Sequence, residues 1–578
     1  MLYPQANAYR QMIDLSGFWE FRTDPDAAGD FGIGFDQGQP IAVPASWNDQ
    51  LTGLRDYLGV AWYQTHFNLP WGWNDQRVFA RFGSVNYLAD VWLNGTHLGQ
   101  HEGGHLPFDI ELTTHLKEHG NRLVVRVDGE LAPDRVPPGN IPPDPRSPFA
   151  GFMRNYPANA FDFFPYCGIQ RPVLLYTLPP QAIEDVIVTT GIDGTTGVVR
   201  VQVERPAGTP VRVSLHGHGI AIRQTFDERD AVLTVPQAAL WSPAAPNLYD
   251  LTVDLMDGDA PVDRCTLKVG IRTIEVDGDQ LLLNGQPVKL TGFGRHEDFP
   301  VTGRGYVPAV IVKDYELMKW VGANSFRTTH YPYSEQMMDL ADRLGFLVID
   351  ETQAVGLYFA EQGLDRRREL CHQYTRELIA RDKNHPSVIM WSLANEPFNN
   401  DPKAGPFFRE LYDLAKRLDP TRPVTVVNVG MISGPDEPTF EFVDVLCMNR
   451  YYGWYSEAGR IEAGVEALEA ELDATHAKFG KPILVTEFGA DTLPGWHAEP
   501  SEMFSEEYQA EFLTAYIELM NRKPYIAGQH VWNLCDFKTS QAVFRTAAMN
   551  FKGVFTRDRR PKLAAHRLRA LWHGNADG

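Results

Sequence analysis

The sequence predicts a multidomain β plus α/β chain, with two all-β domains followed by a (β/α)8 barrel. Three observations carry this. Short runs of alternating apolar and polar residues, with turn signals between them, fill the first half of the chain, as expected of half-buried antiparallel strands. From about residue 289 the pattern changes to apolar runs of strand length separated by helical segments, as in parallel strand–helix units. Two of those runs, SVIMWSLANEP and KPILVTEFGAD, lead into carboxylates, Glu396 and Glu487. At 578 residues the chain is too long for one core, so two to four domains are expected.

In the first domain, residues 1–180, the strand runs are GFWEFRT, AWYQTHFNLP, RVFARFGSVNYLADVWLNG, NRLVVRVDG and RPVLLYTL, with NG, DG and PP turns separating them. Residues 181–273 continue with EDVIVTTGI, GVVRVQVE, VRVSLHG, AVLTV, LYDLTVDLM and CTLKVGIR. About 90 residues of evenly spaced strands predict an immunoglobulin-like sandwich. The segment IEVDGDQLLLNGQPVKL opens something different, and residues 274–578 form the barrel region. Its eight strand candidates are LTGFGRH, NSFRTTH, FLVIDE, VIMWSLANE, VTVVNVG, VLCMNRYY, ILVTEFG and GQHVWNLCDF. Helical segments such as SEQMMDLADRLG and EYQAEFLTAYIELMNR lie between most of them, and AAHRLRALWHG follows the last. Polar residues collect at the strand ends: His296, His330, Glu351, Asn395, Glu396, Asn449, Tyr451, Glu487, Asn533 and Asp536. That is the face of such barrels where chemistry takes place. For Glu351 and Asp536, bracing of neighbouring strands stands beside a direct role.

Composition narrows the function. Hydrophobic residues make up 43% and charged residues 22%, ordinary for a globular protein. Aromatics reach 12% with 13 Trp, compatible with stacking on sugars and equally with filling cores. The net charge of −21 disfavours nucleic acid and anionic membranes, and an anionic substrate would need a local cationic pocket. No run of about 18 apolar residues is present. The N-terminus lacks a basic stretch followed by an apolar one, so neither membrane span nor signal peptide is expected. The five cysteines, 167, 265, 371, 447 and 535, are scattered and form no CxxC. They are expected to be buried thiols of a cytoplasmic, reducing compartment. No His/Asp/Glu trio has metal-site spacing, His385 reads as a packing or capping residue, and no phosphate-binding glycine motif occurs. No cofactor is expected.

A Glu at the end of a fully buried strand is costly unless it faces a site. Two such residues on parallel strands suit glycosidic bond cleavage, in which one carboxyl protonates the leaving oxygen and the other attacks or activates water. The alternative, structural ion pairing of both, fits two strand ends on one barrel face less well.

The segments VWLNGTHLGQHEGGHLPF, FDFFPYCGIQRPV, LTGFGRHED, NSFRTTHYPYSE, ARDKNHPSVIMWSLANEP, MNRYYGWY, VTEFGAD and GQHVWNLCDFKTSQAVFR, with NFKGVFTRDRRPK, resemble glycoside hydrolase family 2, specifically its β-glucuronidases. The resemblance spans essentially the whole chain. It implies a jelly-roll, sugar-binding-like first domain ahead of the immunoglobulin-like sandwich and the catalytic barrel. It further implies a retaining exo-β-glucuronidase with Glu396 as acid/base, Glu487 as nucleophile and Asn395 on the sugar 2-hydroxyl. Asn550 and Lys552 would hold the substrate carboxylate, with Arg545 as a second cation or a structural residue. Tyr455 and Trp532 would line the pocket, and Tyr451 would orient Glu487. Asn449 and Arg450 open the same loop. Asp162 and His330 would meet hydroxyls far from the broken bond, Asp162 from the first domain. A kink near His330 raises the prospect of a cis peptide bond. A homo-oligomer, dimer or tetramer, and no metal are expected.

Alternatives are a β-galacturonidase or mixed uronidase, then a β-galactosidase or β-mannosidase, which need no Lys552, and last a non-catalytic carbohydrate-binding protein. One departure stands out. Only QAVGLYFAEQGLDRRR separates Glu351 from the next helix, where several family members carry a long insertion. An open mouth is therefore expected, favouring oligosaccharides over small drug-like glucuronides, and no extra C-terminal domain is expected.

Overall fold

The structure, a computed structural model, describes residues 2–139, 155–228 and 230–574. The first domain packs a six-stranded antiparallel sheet against a four-stranded one. Its central strand, Asn121–Asp128, pairs with Val60–Phe67 on one side and Leu88–Leu93 on the other. Alternation sends Leu123, Val125 and Val127 into the core, where aromatics fill the space between the sheets. Phe21 meets Tyr63 edge-on at 5.0 Å.

The second domain sets three strands (Asp185–Asp193, Thr196–Glu204, Asp230–Val235) against four (Val211–Gly217, Ile220–Phe226, Tyr249–Asp257, Ala260–Val269). Its core, built on Val199, Val201, Val213 and Leu251, is separate from the main one. The first domain and the barrel instead share one continuous core. The first domain is thus fused to the barrel, whereas the immunoglobulin-like domain leans on it.

Eight parallel strands close the barrel: Leu290–Gly294, Ser325–Arg327, Leu347–Glu351, Val388–Asn395, Val424–Asn428, Leu446–Asn449, Ile483–Glu487 and Ile526–Val531. All eight lie within or overlap the runs read from the sequence. Strands buried on both faces must be almost wholly apolar, and every residue of Val388–Asn395 is buried. Seven α-helices accompany them among the described residues; after the fifth strand two 3-10 turns, Gly434–Asp436 and Pro438–Glu441, stand in place of a helix. The helices carry ordinary end signals. Ser334 accepts a hydrogen bond from the Met337 N–H at the start of Glu335–Leu344, and Gly345, at φ +77°, ends it. The segment IEVDGDQLLLNGQPVKL makes a small antiparallel sheet whose Ile274, Leu281 and Leu283 join Leu290, Leu347 and Ile389 in a cluster of their own. This sheet plugs the N-terminal end of the barrel and leaves the other end for the site.

Candidate active site

Arg327 ends the second barrel strand with no exposed surface. A buried guanidinium requires anionic partners, and it has two. Nη1 donates to Glu351 Oε1 at 2.7 Å and to Oε2 at 2.8 Å, and Nη2 donates to Glu487 Oε1. Glu351 also accepts from Ser392 Oγ at 2.7 Å. Burial alone would raise the Glu351 pKa, but Arg327, His330 and Ser392 hold it below the ordinary glutamate range. Glu351 is therefore a fixed anion that braces Arg327. Asp536 also braces: burial raises its pKa to about 7 against the pull of Lys562, to which it is paired at 2.7 Å.

Glu487 ends the seventh strand and accepts from the Tyr451 hydroxyl at 2.7 Å. The following Gly489 is required by close packing: a Cβ there would lie 2.0 Å from the Trp532 carbonyl oxygen. Glu396 follows the fourth strand at φ +48°, a conformation L-residues rarely adopt. It accepts from Asn449 Nδ2 at 2.9 Å, and Asn449 Oδ1 accepts from Thr486 Oγ1 at 2.8 Å. The strand pairing shifts register between Ser392 and Asn395, and again between Met448 and Asn449. Such irregularities re-aim side chains, here at the two asparagines beside Glu396.

Burial raises both carboxyl pKa values, Glu487 against the pull of Arg327 and Glu396 against the Asn449 hydrogen bond. Two carboxyls in one cavity hold one proton between them over a range of pH. Their partners differ. Burial takes the Glu487 pKa to about 8; a guanidinium and a phenol hydrogen-bond Glu487, while Glu396 accepts only from a neutral amide.

His330 stacks on Trp532, with ring centroids 5.0 Å apart. The Thr329–His330 and Trp532–Asn533 peptide bonds are both cis. Burial lowers the His330 pKa to about 4, leaving the ring neutral. Nδ1 lies 3.2 Å from Glu351 Oε1 and 3.3 Å from Arg327 Nη1. Nε2 lies 3.7 Å from Glu487 Oε1. Asn395 Oδ1 accepts from Arg327 and Asn449, both at 3.2 Å, which turns its amide nitrogen towards the cavity.

A second charged group forms one corner. Arg545 donates from Nε to Asp162 Oδ1 at 2.6 Å and from Nη2 to Oδ2, and Asn550 Nδ2 donates to the same Oδ2 at 2.8 Å. Lys552 Nζ donates to Asp491 Oδ2 and, at 3.0 Å, to the Tyr455 hydroxyl, which Arg545 also reaches at 3.1 Å. Burial would raise the Asp491 pKa, but Lys552 and Arg545 hold it low. The corner thus sets two cations against two carboxylates.

These residues enclose a cavity of about 510 Å³. All the site residues read from the sequence line it except Lys552, which is 1% exposed and lies behind Tyr455. Asp162 reaches the cavity from the first domain, with Ala160 and Phe161. Arg450 contributes little surface chemistry, since Glu471 takes its Nε at 2.7 Å and Nη2 at 2.8 Å. Phe398, Met431, Val429 and Val355 give the mouth an apolar wall. Arg327 and Asp491 were not singled out in the sequence. The signal for Arg327 is a charge inside the short buried run NSFRTTH; for Asp491 it is a carboxylate four residues beyond Glu487. His385 is an ion-pair partner rather than a packing or capping residue. Its Nδ1 is 2.6 Å from Asp342, and although burial opposes it, that carboxylate raises its pKa to about 10. Asp339, Asp342 and His385 lie close enough to hold an ion.

A barrel with two glutamates at strand ends over one cavity defines a glycoside hydrolase working through paired carboxylates. The comparisons agree. Residues 12–179 match the glycosyl hydrolases family 2 sugar binding domain, 181–272 the model described as glycosyl hydrolases family 2, and 274–575 the glycosyl hydrolases family 2 TIM barrel domain. A β-glucuronidase of Paenibacillus borealis is 41% identical over 99% of this chain and 98% of that protein. The structure of a β-D-glucuronidase from Dictyoglomus thermophilum superposes with a TM-score of 0.92 at 38% identity, covering 100% of this chain and 99% of that one. The Ruminococcus gnavus β-glucuronidase superposes with a TM-score of 0.94 at 36% identity and the same coverage. The chain belongs to the family 2 glycosyl hydrolases.

Proposed function

We propose that the chain is a retaining exo-β-glucuronidase that releases glucuronate from β-D-glucuronides. The observation carrying this is the division of partners between the two glutamates, beside a corner with two buried cations. Glu487, hydrogen-bonded by Arg327 and Tyr451, attacks the anomeric carbon as a carboxylate. Glu396 gives its proton to the leaving oxygen, and then takes one from the water that cleaves the glycosyl-enzyme. Asn395 presents its amide nitrogen to the 2-hydroxyl, and neutral His330 hydrogen-bonds a sugar hydroxyl. The substrate carboxylate enters the corner, where Asn550, Arg545 and Tyr455 meet it and Lys552 supplies charge from behind. Asp162 and Arg545 wall the far side of the sugar, which supports release of a terminal residue. The likeness to β-glucuronidases over nearly the whole chain supports the same substrate.

The functional units are taken as residues 1–180, 181–273 and 274–578. Five buried, unpaired cysteines support a cytoplasmic location, and no helix among the described residues is long and apolar enough to cross a membrane. Phe18, Ile33 and Trp71, all strongly exposed on the first domain, support a homo-oligomer, dimer or tetramer. Hydrolysis of nitrophenyl β-glucuronide, β-galacturonide, β-galactoside and β-glucoside tests the assignment. The glucuronide is expected to be fastest. A galacturonide preference would shift the reading to a galacturonidase, and a neutral sugar as best substrate would overturn it.

A further inference from the structure

Far from the catalytic cavity, at the seam between the immunoglobulin-like domain and the N-terminal end of the barrel, lies a second cavity of about 280 Å³. Its walls come from four pieces of chain: the edge of the second domain at Val188–Thr190, the connector at 269–275, and the barrel loops at 383–386 and 420–422. The centre of interest is Arg272, which is only 5% exposed.

Arg272 donates from Nε to the Pro386 carbonyl at 3.1 Å and from Nη2 to the Val388 carbonyl at 2.6 Å. Arg422 donates from Nε to the same Val388 carbonyl at 2.7 Å. Two buried guanidiniums therefore converge on one oxygen. Arg422 is neutralised by Asp419, at 2.6 Å. Among the described residues Arg272 has no carboxylate within salt-bridge distance, and its Nη1 has no hydrogen-bond partner. An unpaired buried charge beside a like charge is costly. Accordingly, burial and Arg422 lower the Arg272 pKa to about 9. Thr189 and Thr273 also line the cavity, and among the described residues neither hydroxyl has a hydrogen-bond partner. Glu275 stands at the rim, exposed. Lys383, which also lines the cavity, is paired with Asp185 at 2.5 Å, so among the described residues Arg272 is the one lining cation without an ion-pair partner.

We infer that the seam cavity is a binding site for a small oxyanion of the phosphate or carboxylate class, held by Arg272 Nη1 and the Thr189 and Thr273 hydroxyls. The bound anion would tie the second domain to the barrel, because its contacts come from both. The second domain has its own core, so its tie to the barrel rests on polar contacts such as those of Arg272 and Asn384, to which the anion would add.

The test uses the full chain and two probes, inorganic phosphate and citrate, against chloride at equal ionic strength. Either probe, at millimolar concentration, is expected to raise Tm saturably by about 1–3 °C, with KM for a nitrophenyl β-glucuronide unchanged. Response to phosphate alone would identify the inorganic ion as the better ligand, and response to citrate alone the carboxylate. Arg272→Met is expected to lose the rise. Thr189→Glu, which tethers a carboxylate in the cavity, is expected to melt above its Thr189→Gln control in chloride and to gain nothing further from phosphate; it decides the matter should Arg272→Met fail to fold. The inference is overturned by a rise that grows without saturating, by the same rise in Arg272→Met, by a competitive effect on KM, or by a Thr189→Glu variant less stable than Thr189→Gln.

Discussion

At the floor of the catalytic cavity Arg327 meets Glu351 and Glu487, all three on strand ends of one barrel. In the corner Arg545 meets Asp162, which a different domain supplies. The floor has more carboxyl than cation: one guanidinium serves two glutamates while Glu396 has none, which supports the acid role proposed for Glu396. The corner is balanced, two cations against two carboxylates, and takes no part in proton transfer. On the proposed function, the charge deficit sets the chemistry and the assembled ion network sets which sugar is accepted. The two can be damaged separately.

The largest effect is expected at the floor. Glu487→Ala should lower kcat by roughly 10⁴-fold or more on every substrate, since no other carboxylate is aimed at the anomeric carbon. Glu396→Ala should cost about 10²–10⁴-fold on an aryl glucuronide with a poor leaving group. With a very good leaving group the glycosylation step should be largely spared, as pre-steady-state kinetics would reveal. Near-normal activity of both variants would place the site elsewhere.

Arg327 sharpens the comparison through pH. In the proposed mechanism Glu487 must be ionised, and burial raises its pKa to about 8, so kcat/KM should fall as pH drops through that value and Glu487 gains a proton. Arg327 lowers the Glu487 pKa against burial. Removing its charge in Arg327→Gln makes protonation of Glu487 easier, so the acid limb should move to higher pH, and Arg327→Lys should move it part of the way back. A purely structural Arg327 would lower activity at all pH values without moving the limb.

The corner should show a smaller and selective effect. Lys552→Ala is expected to cost about tenfold to a few hundredfold in kcat/KM on uronides. Trace activity on a β-glucoside or β-galactoside should be unchanged or higher, because a neutral CH2OH makes no use of the cation. Equal losses on both would show that Lys552, tied to Asp491, holds the fold instead.

The same division governs what the sequence makes visible. The barrel was legible because strands buried on both faces must be apolar runs, and a glutamate ending such a run, as at Glu396 and Glu487, stands out by its cost. Arg327 sits in the three-residue strand Ser325–Arg327, too short for its charge to be seen as an intrusion. The corner is harder still. Asp162 is 388 residues from the Asn550 it accepts from, and no local period records that contact; it was reached through the family resemblance alone. Asp491 and the apolar wall of Phe398 and Met431 depend on loop geometry, which composition does not encode. The short segment after Glu351 therefore did not disclose that other loops line the mouth.

The account's central claim is a two-step displacement at Glu487 with Glu396 as acid, acting on a β-glucuronide. Proton NMR of the sugar first released from an aryl β-D-glucuronide tests it most directly. The account predicts that β-glucuronic acid appears first and then mutarotates. The α-anomer appearing first would contradict it.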